Sequence, residues 1–332
     1  MREPAFWRKN GLAARALSPI AAIYAAVADA RMKGGGFRAA VPVFCVGNLT
    51  AGGTGKTPTA IALAKSFLAR GLKPFFLTRG YGGNSTGPLL VAQGHTAKDV
   101  GDEALLLARL ASTVVARDRA AGAQLAISSG ATVIVMDDGF QNASLEKDFA
   151  LLVVDGQRGI GNGRVIPSGP LRASLHTQLA HASAMLVVGA VAAPTREVIA
   201  AAKARGLPVF TGSLQPDASA MNELRGKKVL AYAGIGQPDK FFATLATGGA
   251  LIRSTRLFDD HHPFTRAEAT DLLDTAAREH LVLVTTEKDI ARMRGDPALE
   301  ALTKQTTVLP VTMTFDDEAA WRRDVIDKFL KA

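Results

Sequence analysis

The chain has 332 residues, of which 48% are hydrophobic, so it is long enough for two domains with packed cores. Its one cysteine, Cys45, excludes an intramolecular disulfide and fits a reducing compartment. The formal net charge of +9 points to an acidic partner such as nucleic acid, anionic lipid or a phosphorylated substrate.

Residues 1–40 hold more than half of this excess charge. Seven Lys and Arg residues stand there against Glu3 and Asp29, a net of 7 − 2 = +5. The uncharged run from Ala16 to Ala28 has 13 residues, fewer than the about 20 that a bilayer-spanning helix needs. Pro19 interrupts this run and no convincing cleavage site follows it, which argues against a signal peptide.

A helix is predicted within this segment, with Ser18 as its N-cap and Pro19 at its first position. One face of the helix is apolar and carries Ile20, Ile23, Tyr24 and Val27. Basic residues at both ends, with Trp7 nearby, suit a helix that lies in a membrane interface. A helix packed on the protein's own core needs the same stripe, so the sequence leaves both interpretations open.

Strands and helices alternate between residues 41 and 155. Nearly continuous apolar runs predict strands at 41–48, 73–80, 112–118, 131–138 and 148–155. The helices predicted between them are 57–70, 99–111 and 119–129. Apolar strands of this kind are typical of a parallel sheet with helices on both faces, so the predicted fold class is α/β. Cys45 lies in the first strand and is interpreted as a buried structural thiol.

The loop after the first strand, residues 48–63, reads NLTAGGTGKTPTAIAL. It fits the end of the phosphate-loop pattern G-x-x-x-x-G-K-[ST], but Thr50 stands where the pattern has its first glycine. In such a loop Lys56 reaches the β- and γ-phosphates and the Thr57 hydroxyl binds Mg²⁺. The residues predicted to bind nucleotide are Gly52, Gly53, Thr54, Gly55, Lys56 and Thr57. An ordinary glycine-rich turn is the alternative.

The strand at 131–138 ends in Asp137 and Asp138, where a second contact for Mg²⁺ is expected. A solvated turn is the alternative, since Asp-Gly is common in turns. Parallel α/β sheets bind ligands at the carboxyl ends of their strands. The glycine loop, the Asp pair and Asp155 all stand at such ends, so we expect them to share one edge of the sheet.

Residues 156–182 are rich in Gly and Pro and predict a long connector. A second alternating set follows, with strands at 182–190, 207–214, 227–236 and 280–289 and helices at 194–206, 237–246 and 265–279. We predict a P-loop NTPase-like α/β/α domain with a mainly parallel sheet and a second, smaller α/β domain. The predicted boundaries are 1–40 for the basic N-terminal segment, 41–175 for the P-loop domain and 176–332 for the smaller domain, whose last helix has room to pack back on the first domain.

Seven motifs follow one another in an order that resembles a known family: GNLTAGGTGKTP, LTRGYGG, GDEALLLA, DDGFQN, GNGRVIPSGPLR, DDHHPFT and TTEKD. They are similar to those of the tetraacyldisaccharide 4'-kinases, the lipid A 4'-kinases of Gram-negative bacteria. The resemblance runs from about Asn10 to Asp289 and includes the non-glycine that opens the phosphate loop. It implies ATP and Mg²⁺ as cofactors, and transfer of the γ-phosphate to the 4'-hydroxyl of an acylated glucosamine disaccharide 1-phosphate to form lipid IVA.

The resemblance also implies a catalytic pair. Asp102 of the G-D-E motif would take the proton of the sugar hydroxyl, and His261 would tune and orient it. From the residues alone, the stretch DDHH at 259–262 looks equally like a solvated turn or a metal-binding cluster, for which no third and fourth ligand stands at suitable spacing. The family pattern places the triphosphate and the metal on Lys56, Thr57, Asp137 and Asp138.

Three further cations are candidates for contacting phosphate groups. Arg79 in LTRGYGG and Arg172 in GPLR are predicted to bind substrate or nucleotide, because guanidinium groups match phosphate oxygens. Lys288 in TTEKD is a similar candidate, and a surface cation is the alternative for each. Two residues depart from the family pattern: many relatives have an acidic residue where this chain has Ala173, and a His where it has Asn142.

An anionic lipid substrate gives the basic N-terminal helix a purpose. We predict peripheral association with the anionic membrane surface, at the cytoplasmic face of the inner membrane, which deletion of residues 1–32 would weaken. Nucleic acid is not expected as a partner, because only 6% of residues are aromatic and the body of the chain has no basic run interleaved with aromatics. The alternative function is a P-loop regulatory switch, which needs the loop and the Asp pair but neither Asp102 nor His261. A monomer is the default expectation.

Overall fold

The computed structural model describes residues 4–327. A 3₁₀ turn, Ala5–Arg8, and two helices, α1 (Leu12–Ala16) and α2 (Ser18–Met32), form the N-terminal segment. Leu17 is the N-cap of α2, whereas Ser18, predicted to be the cap, is its first residue and donates its hydroxyl to the Ala14 carbonyl 3.1 Å away. Residues 1–3 and 328–332, which the predicted first and last segments include, lie outside the described residues.

The strands, in chain order, are β1 Val43–Asn48, β2 Pro74–Thr78, β3 Leu89–Leu90, β4 Thr113–Val115, β5 Val133–Asp137, β6 Phe149–Asp155, β7 Ala184–Val188, β8 Val209–Pro216, β9 Lys228–Ala233, β10 Leu251–Leu257, β11 Val282–Thr286, β12 Thr306–Leu309 and β13 Val311–Phe315. The remaining α-helices are α3 Lys56–Leu68, α4 Ala97–Val100, α5 Asp102–Ala108, α6 Arg119–Ser128, α7 Leu175–Ala180, α8 Ala193–Ala204, α9 Ala218–Leu224, α10 Pro238–Thr247, α11 Arg266–Glu279, α12 Glu287–Met293, α13 Glu300–Gln305 and α14 Glu318–Trp321. A short 3₁₀ helix, Pro297–Leu299, and a π-helix, Arg322–Asp327, complete the described elements.

Two sheets organise the chain. The larger has nine strands in the order β13-β8-β7-β6-β1-β5-β2-β4-β3, and the smaller has four in the order β10-β9-β11-β12. All neighbours are parallel except the two edge strands of the large sheet, β3 and β13, which run antiparallel to their partners. The predicted α/β class, with a mainly parallel sheet and a second, smaller one, is therefore confirmed.

The large sheet is buried on both faces, as the apolar strands predict. In β1, Phe44 and Val46 pack with the core on one face, while Val43 and Cys45 pack with the core on the other. Burial raises the pKa of the Cys45 thiol to about 11. The thiol therefore stays protonated near neutral pH, which agrees with its interpretation as a structural residue.

The large sheet includes strands that lie beyond the predicted boundary at residue 175. β7 pairs with β6, and β8 pairs with β7, so both extend the large sheet and do not begin the smaller one. β13 also returns to the large sheet, and Trp321 in α14 stacks on Phe315 with ring centroids 4.0 Å apart. Strand–helix alternation looks the same whichever sheet a strand joins, so the sequence pattern could not locate this boundary. We propose residues 217–310 as the smaller unit, because they contain all four strands of the smaller sheet.

The predicted helix over 99–111 is two helices that meet at Gly101. This residue has φ 85° and ψ 153°, and an added Cβ would lie 2.4 Å from the Tyr81 carbonyl oxygen. The left-handed φ and the close approach both require glycine. The break makes Asp102 the first residue of α5, at the point where the two units meet.

Candidate active site

The phosphate loop links β1 to α3. Gly55 adopts a left-handed φ of 91°, and Lys56 and Thr57 follow as the first buried residues of α3. The N-terminus of this helix leaves backbone N–H groups free to face an anion, as a phosphate loop requires. The predicted strand–loop–helix context is therefore present.

Thr50 replaces a glycine without strain because it is paired with the connector. It forms an antiparallel bridge with Leu171, and the N–H of Ala51 donates to the Pro170 carbonyl over 2.9 Å. A residue in an extended bridge can carry a side chain, so the loop does not need glycine at this position. The connector thus braces the phosphate loop from one side.

Asp137 ends β5 beside the start of α3. The Thr57 hydroxyl donates to its Oδ2 over 2.8 Å, while its Oδ1 is buried and has no hydrogen-bond partner among the described residues. Burial, aided by the charge of Glu103, raises the pKa of Asp137 to about 7. A buried carboxylate oxygen without a partner, next to a threonine hydroxyl, fits the all-oxygen surroundings that Mg²⁺ prefers.

Asp138 has a different environment although it is the next residue. Its φ is 57°, in the left-handed region, and its side chain contacts two cations. Arg172 donates to both of its oxygens, over 2.9 and 3.2 Å, and the Lys56 ammonium lies 3.6 Å from Oδ2. Burial raises the pKa of Asp138, but these two cations outweigh it and hold the value at about 2. The predicted metal pair therefore divides into one carboxyl poised for a cation and one already neutralised.

The two predicted phosphate-binding arginines lie in different settings. Arg172 is engaged with Asp138 and with the Thr50 carbonyl, which it reaches over 3.2 Å. Arg79 follows β2, is exposed, and makes no hydrogen bond or ion pair within residues 4–327. Arg79 is thus free for a ligand, whereas Arg172 shapes the loop and the Asp pair.

Asp102 and His261 meet across the two units. Their Oδ2 and Nδ1 atoms lie 3.2 Å apart, although 159 residues separate them in the chain. His261 sits in the loop after β10 with a left-handed φ of 60°. Burial lowers the pKa of His261, but the hydrogen bond and charge of Asp102 outweigh it and raise the net value, so this imidazole can donate to the carboxylate.

A second ion pair, Lys288 with Glu103, links α12 to α5 beside Asp102. The Lys288 ammonium of α12 lies 2.7 Å from the Glu103 Oε1 of α5. The charge of Glu103 contributes to the raised pKa of Asp137, and Lys288 in turn interacts with both Asp102 and Asp137. Lys288 therefore lies within electrostatic range of both Asp102 and Asp137.

Asp155 joins the two units through hydrogen bonds. Its Oδ2 accepts from Lys240, over 2.6 Å, and from Gln237, over 2.9 Å. The Gln237 side chain also donates to the Gly53 carbonyl in the phosphate loop. The smaller unit thus contacts the loop directly at the start of α10.

Sequence reasoning missed Gln237, Lys240 and Arg292. The Arg292 Nε donates to Asp102 Oδ2 over 2.7 Å, closer than His261. One signal was available: Arg292 stands four residues after Lys288 and three after Asp289, so it is a neighbour of each on the surface of α12.

The raised pKa of Asp137 predicts a pH-dependent stability in the absence of metal. Because the folded protein holds this proton more tightly than the unfolded chain, the free energy of unfolding falls as pH rises from about 4 to about 7, by at most about 1.4 kcal/mol per pH unit from this group. Urea unfolding of wild type and Asp137→Asn at about pH 5 and about pH 8 measures it. We expect the variant to lose less stability between these values, with Asp274→Asn on the exposed face of α11 behaving like wild type. Equal losses in all three proteins would contradict this assignment.

Comparisons with known proteins identify the family and the fold. A family model described as tetraacyldisaccharide-1-P 4'-kinase matches residues 13–330. The tetraacyldisaccharide 4'-kinases of Rhodopseudomonas palustris strains BisA53 and BisB18 are each 50% identical to this chain. The first match covers 98% of this chain and 95% of the relative, and the second covers 100% and 97%. Among solved structures, the "apo" form of LpxK from Aquifex aeolicus in complex with ATP has a TM-score of 0.72 at 23% identity, covering 94% of this chain and 98% of that one, and shows the same fold.

Proposed function

The chain belongs to the tetraacyldisaccharide-1-P 4'-kinase family, and we infer from this membership that it transfers the γ-phosphate of ATP to the 4'-hydroxyl of tetraacyldisaccharide 1-phosphate, forming lipid IVA. The observation that carries the inference is the contact between Asp102 and His261. A nucleotide switch needs the phosphate loop and the Asp pair, but it has no use for a carboxylate–imidazole pair assembled from two units. A kinase must deprotonate and orient an acceptor.

Asp102 is the residue that we propose takes the acceptor's proton. The 4'-oxygen forms a bond to the γ-phosphorus as the bond to the β-phosphate oxygen breaks, ADP leaves, and the hydroxyl proton passes to Asp102. Burial raises the pKa of Asp102, but His261 and Arg292 outweigh it and lower the net value, so the carboxyl is ionised and weakly basic. A weak base suffices because phosphoryl transfer depends mainly on positioning and charge neutralisation.

Lys56 and the metal-binding residues act on the nucleotide. Lys56 is only 9% exposed and would exchange its contact with Asp138 for the phosphates. Thr57 and Asp137 would hold Mg²⁺ directly, since the oxygens of Asp138 are paired with Arg172. When bound, Mg²⁺ neutralises the charge on the transferring phosphoryl group.

Turnover of ATP with and without the lipid acceptor separates a kinase from a switch. The kinase assignment predicts that ADP release rises at least about tenfold when tetraacyldisaccharide 1-phosphate in detergent micelles is added. A switch would release ADP at the same rate without it. Equal rates of ADP release with and without the lipid would therefore contradict the kinase assignment.

The face of α2 predicted from the sequence supports a peripheral membrane location. Its apolar residues lie on the surface of the protein, with Ile20, Ile23, Tyr24 and Val27 exposed by 57%, 69%, 43% and 47%. This excludes packing of that face on the protein's own core. Nowhere in residues 4–327 is there a helix long and apolar enough to cross a membrane. We propose that the face inserts into the anionic cytoplasmic leaflet of the inner membrane, where the lipid substrate would be reached, with neighbouring Arg and Lys on the headgroups.

Binding to lipid vesicles tests this location. Deletion of residues 1–32 is a poor test, because it would also remove hydrogen bonds to the connector. The Trp7 indole donates to the Pro167 carbonyl over 2.9 Å, and Arg164 donates to the Ser18 hydroxyl over 2.7 Å. We instead expect Ile23→Glu to weaken binding to anionic vesicles by about tenfold, the effect of removing one inserted side chain. Leu257→Glu, exposed by 47% on β10, is the matched control. An equal effect of both substitutions, or of neither, would contradict insertion of this face.

A further inference from the structure

Asp102 has a closer partner than His261. The Nε of Arg292 lies 2.7 Å from its Oδ2, while the Nδ1 of His261 lies 3.2 Å from the same oxygen. Both side chains of the Asp102–Arg292 pair are buried, 2% and 6% exposed. A hydrogen bond between two ionised groups is about twice as strong as one between neutral groups.

The position of Arg292 is fixed by a second carboxylate. Its Nη1 donates over 2.9 Å to Asp289, which is fully buried. Asp289 is itself held by the N–H of Gly234 and by the hydroxyls of Thr285 and Thr286, over 3.0, 3.1 and 2.6 Å. The guanidinium is therefore clamped between two carboxylates, one in each unit.

The third nitrogen of Arg292 argues against a role in packing alone. Its Nη2 is buried and has no hydrogen-bond partner among the described residues. An unpaired buried donor costs stability, and an apolar side chain of similar size would avoid that cost. The charge and the fork of hydrogen bonds are thus the features that explain an arginine here.

The partners of Asp102 come mainly from the opposite unit. Asp102 lies at the start of α5, whereas Arg292 and Lys288 are on α12 and His261 is in the loop after β10. The other charged groups around the cluster are Glu103, paired with Lys288, and Asp260, 3.8 Å from the Nε2 of His261. Among the described residues, the Asp102 Oδ1 accepts a hydrogen bond only from the N–H of Glu103, over 2.9 Å, and can accept another from a hydroxyl.

We propose that Arg292 is a positioning residue for phosphate transfer: clamped by Asp289, it holds Asp102 ionised and turned so that Oδ1 can receive the acceptor hydroxyl. The proposal rests on the kinase function given above. Because Arg292 belongs to the smaller unit, it can hold Asp102 in position only while that unit contacts the P-loop unit. Without Arg292, Asp102 would have one neutralising contact fewer and one hydrogen bond fewer to hold its Oδ2.

Steady-state transfer rates test this role, measured across pH and over a range of ATP concentrations up to saturation. We expect Arg292→Met to lower kcat about 100-fold near neutral pH. The KM for ATP should stay within about twofold, because the residue does not touch the nucleotide loop. Without the guanidinium, burial of Asp102 is less opposed, so the acidic limb of the pH–rate profile should move to higher pH. Arg292→Lys retains a cation and should recover at least about tenfold of the loss.

Two controls make the outcomes distinct. Arg294→Met removes an exposed arginine two residues away and should retain wild-type kinetics, and thermal unfolding identifies any variant that is not folded. An unchanged kcat in Arg292→Met would overturn the proposal. An equal loss of kcat at every pH, not rescued by Arg292→Lys, would also overturn it, because it would indicate a structural role. If wild type itself transfers no phosphate, the kinase function fails before the variants are compared.

Discussion

Replacing Asp102 with asparagine is expected to lower kcat for phosphate transfer by about 10²- to 10⁴-fold, the contribution typical of a general base. Asparagine has the same shape but cannot accept the hydroxyl proton. The KM for ATP should change little, since the nearest nucleotide-binding residues belong to a different loop. Initial rates of transfer to the lipid acceptor, measured over a range of ATP concentrations up to saturation, give both constants.

The same substitution leaves Arg292 and His261 without their anionic partner. Removing one member of a buried ion pair destabilises a protein by about 3–5 kcal/mol, so thermal unfolding must be measured beside the rates. Asp274→Asn makes the same chemical change on an exposed face of α11 and should alter neither quantity. A folded Asp102→Asn enzyme with more than about a tenth of wild-type kcat would contradict the proposed base.

Replacing Lys56 with methionine is expected to reduce kcat/KM for ATP by about 10²- to 10³-fold, the scale of losing one preorganised charge at a reacting phosphate. Lys56 is buried at the start of α3, and its ammonium pairs with Asp138, 3.6 Å away. Unlike Asp102→Asn, this variant should also bind ATP more weakly. Calorimetric titration with a non-hydrolysable ATP analogue separates the two effects.

Lys65→Met is the matched control for the lysine, because it lies exposed on the same helix. Loss of its charge tests whether a general reduction of positive charge on α3 weakens nucleotide binding. Similar affinity losses in both variants would mean that Lys56 has no special contact with the phosphates.

The phosphate loop and the Asp pair were predictable because each is a local signal. An apolar strand, a glycine-rich turn and a helix start follow one another at 43–57, and Asp137 and Asp138 directly follow another apolar strand. The divergence between the two aspartates was not predictable. It depends on the left-handed φ of Asp138 and on Arg172, which arrives from the connector 34 residues later.

Only the family resemblance could link Asp102 to His261 from the sequence. Asp102 and His261 are 159 residues apart, and no periodicity links them. Arg292 could not be identified from the sequence for a related reason. Its spacing from Asp289 identifies a helix face, but only the packing of α12 on α5 brings that face to Asp102. Contacts between units are set by tertiary packing, which local sequence does not encode.

The fold shows the same division between local and distant information. Positions of most strands and helices followed from apolar periodicity, whereas membership of β7 and β8 in the large sheet depended on which neighbour each strand pairs with. The apolar stripe of α2 was visible in the sequence, but only the exposure of Ile23 and its neighbours distinguishes a surface face from a core face.

The most direct test of the central claim is transfer of label from γ-labelled ATP to tetraacyldisaccharide 1-phosphate in detergent micelles, followed by location of the new phosphate on the sugar. Wild type and Asp102→Asn are compared in the same assay. The kinase assignment predicts a labelled bisphosphate lipid with the label at the 4' position, made by wild type and nearly absent with the variant. Steady ATP hydrolysis without labelled lipid, unchanged in Asp102→Asn, would contradict it.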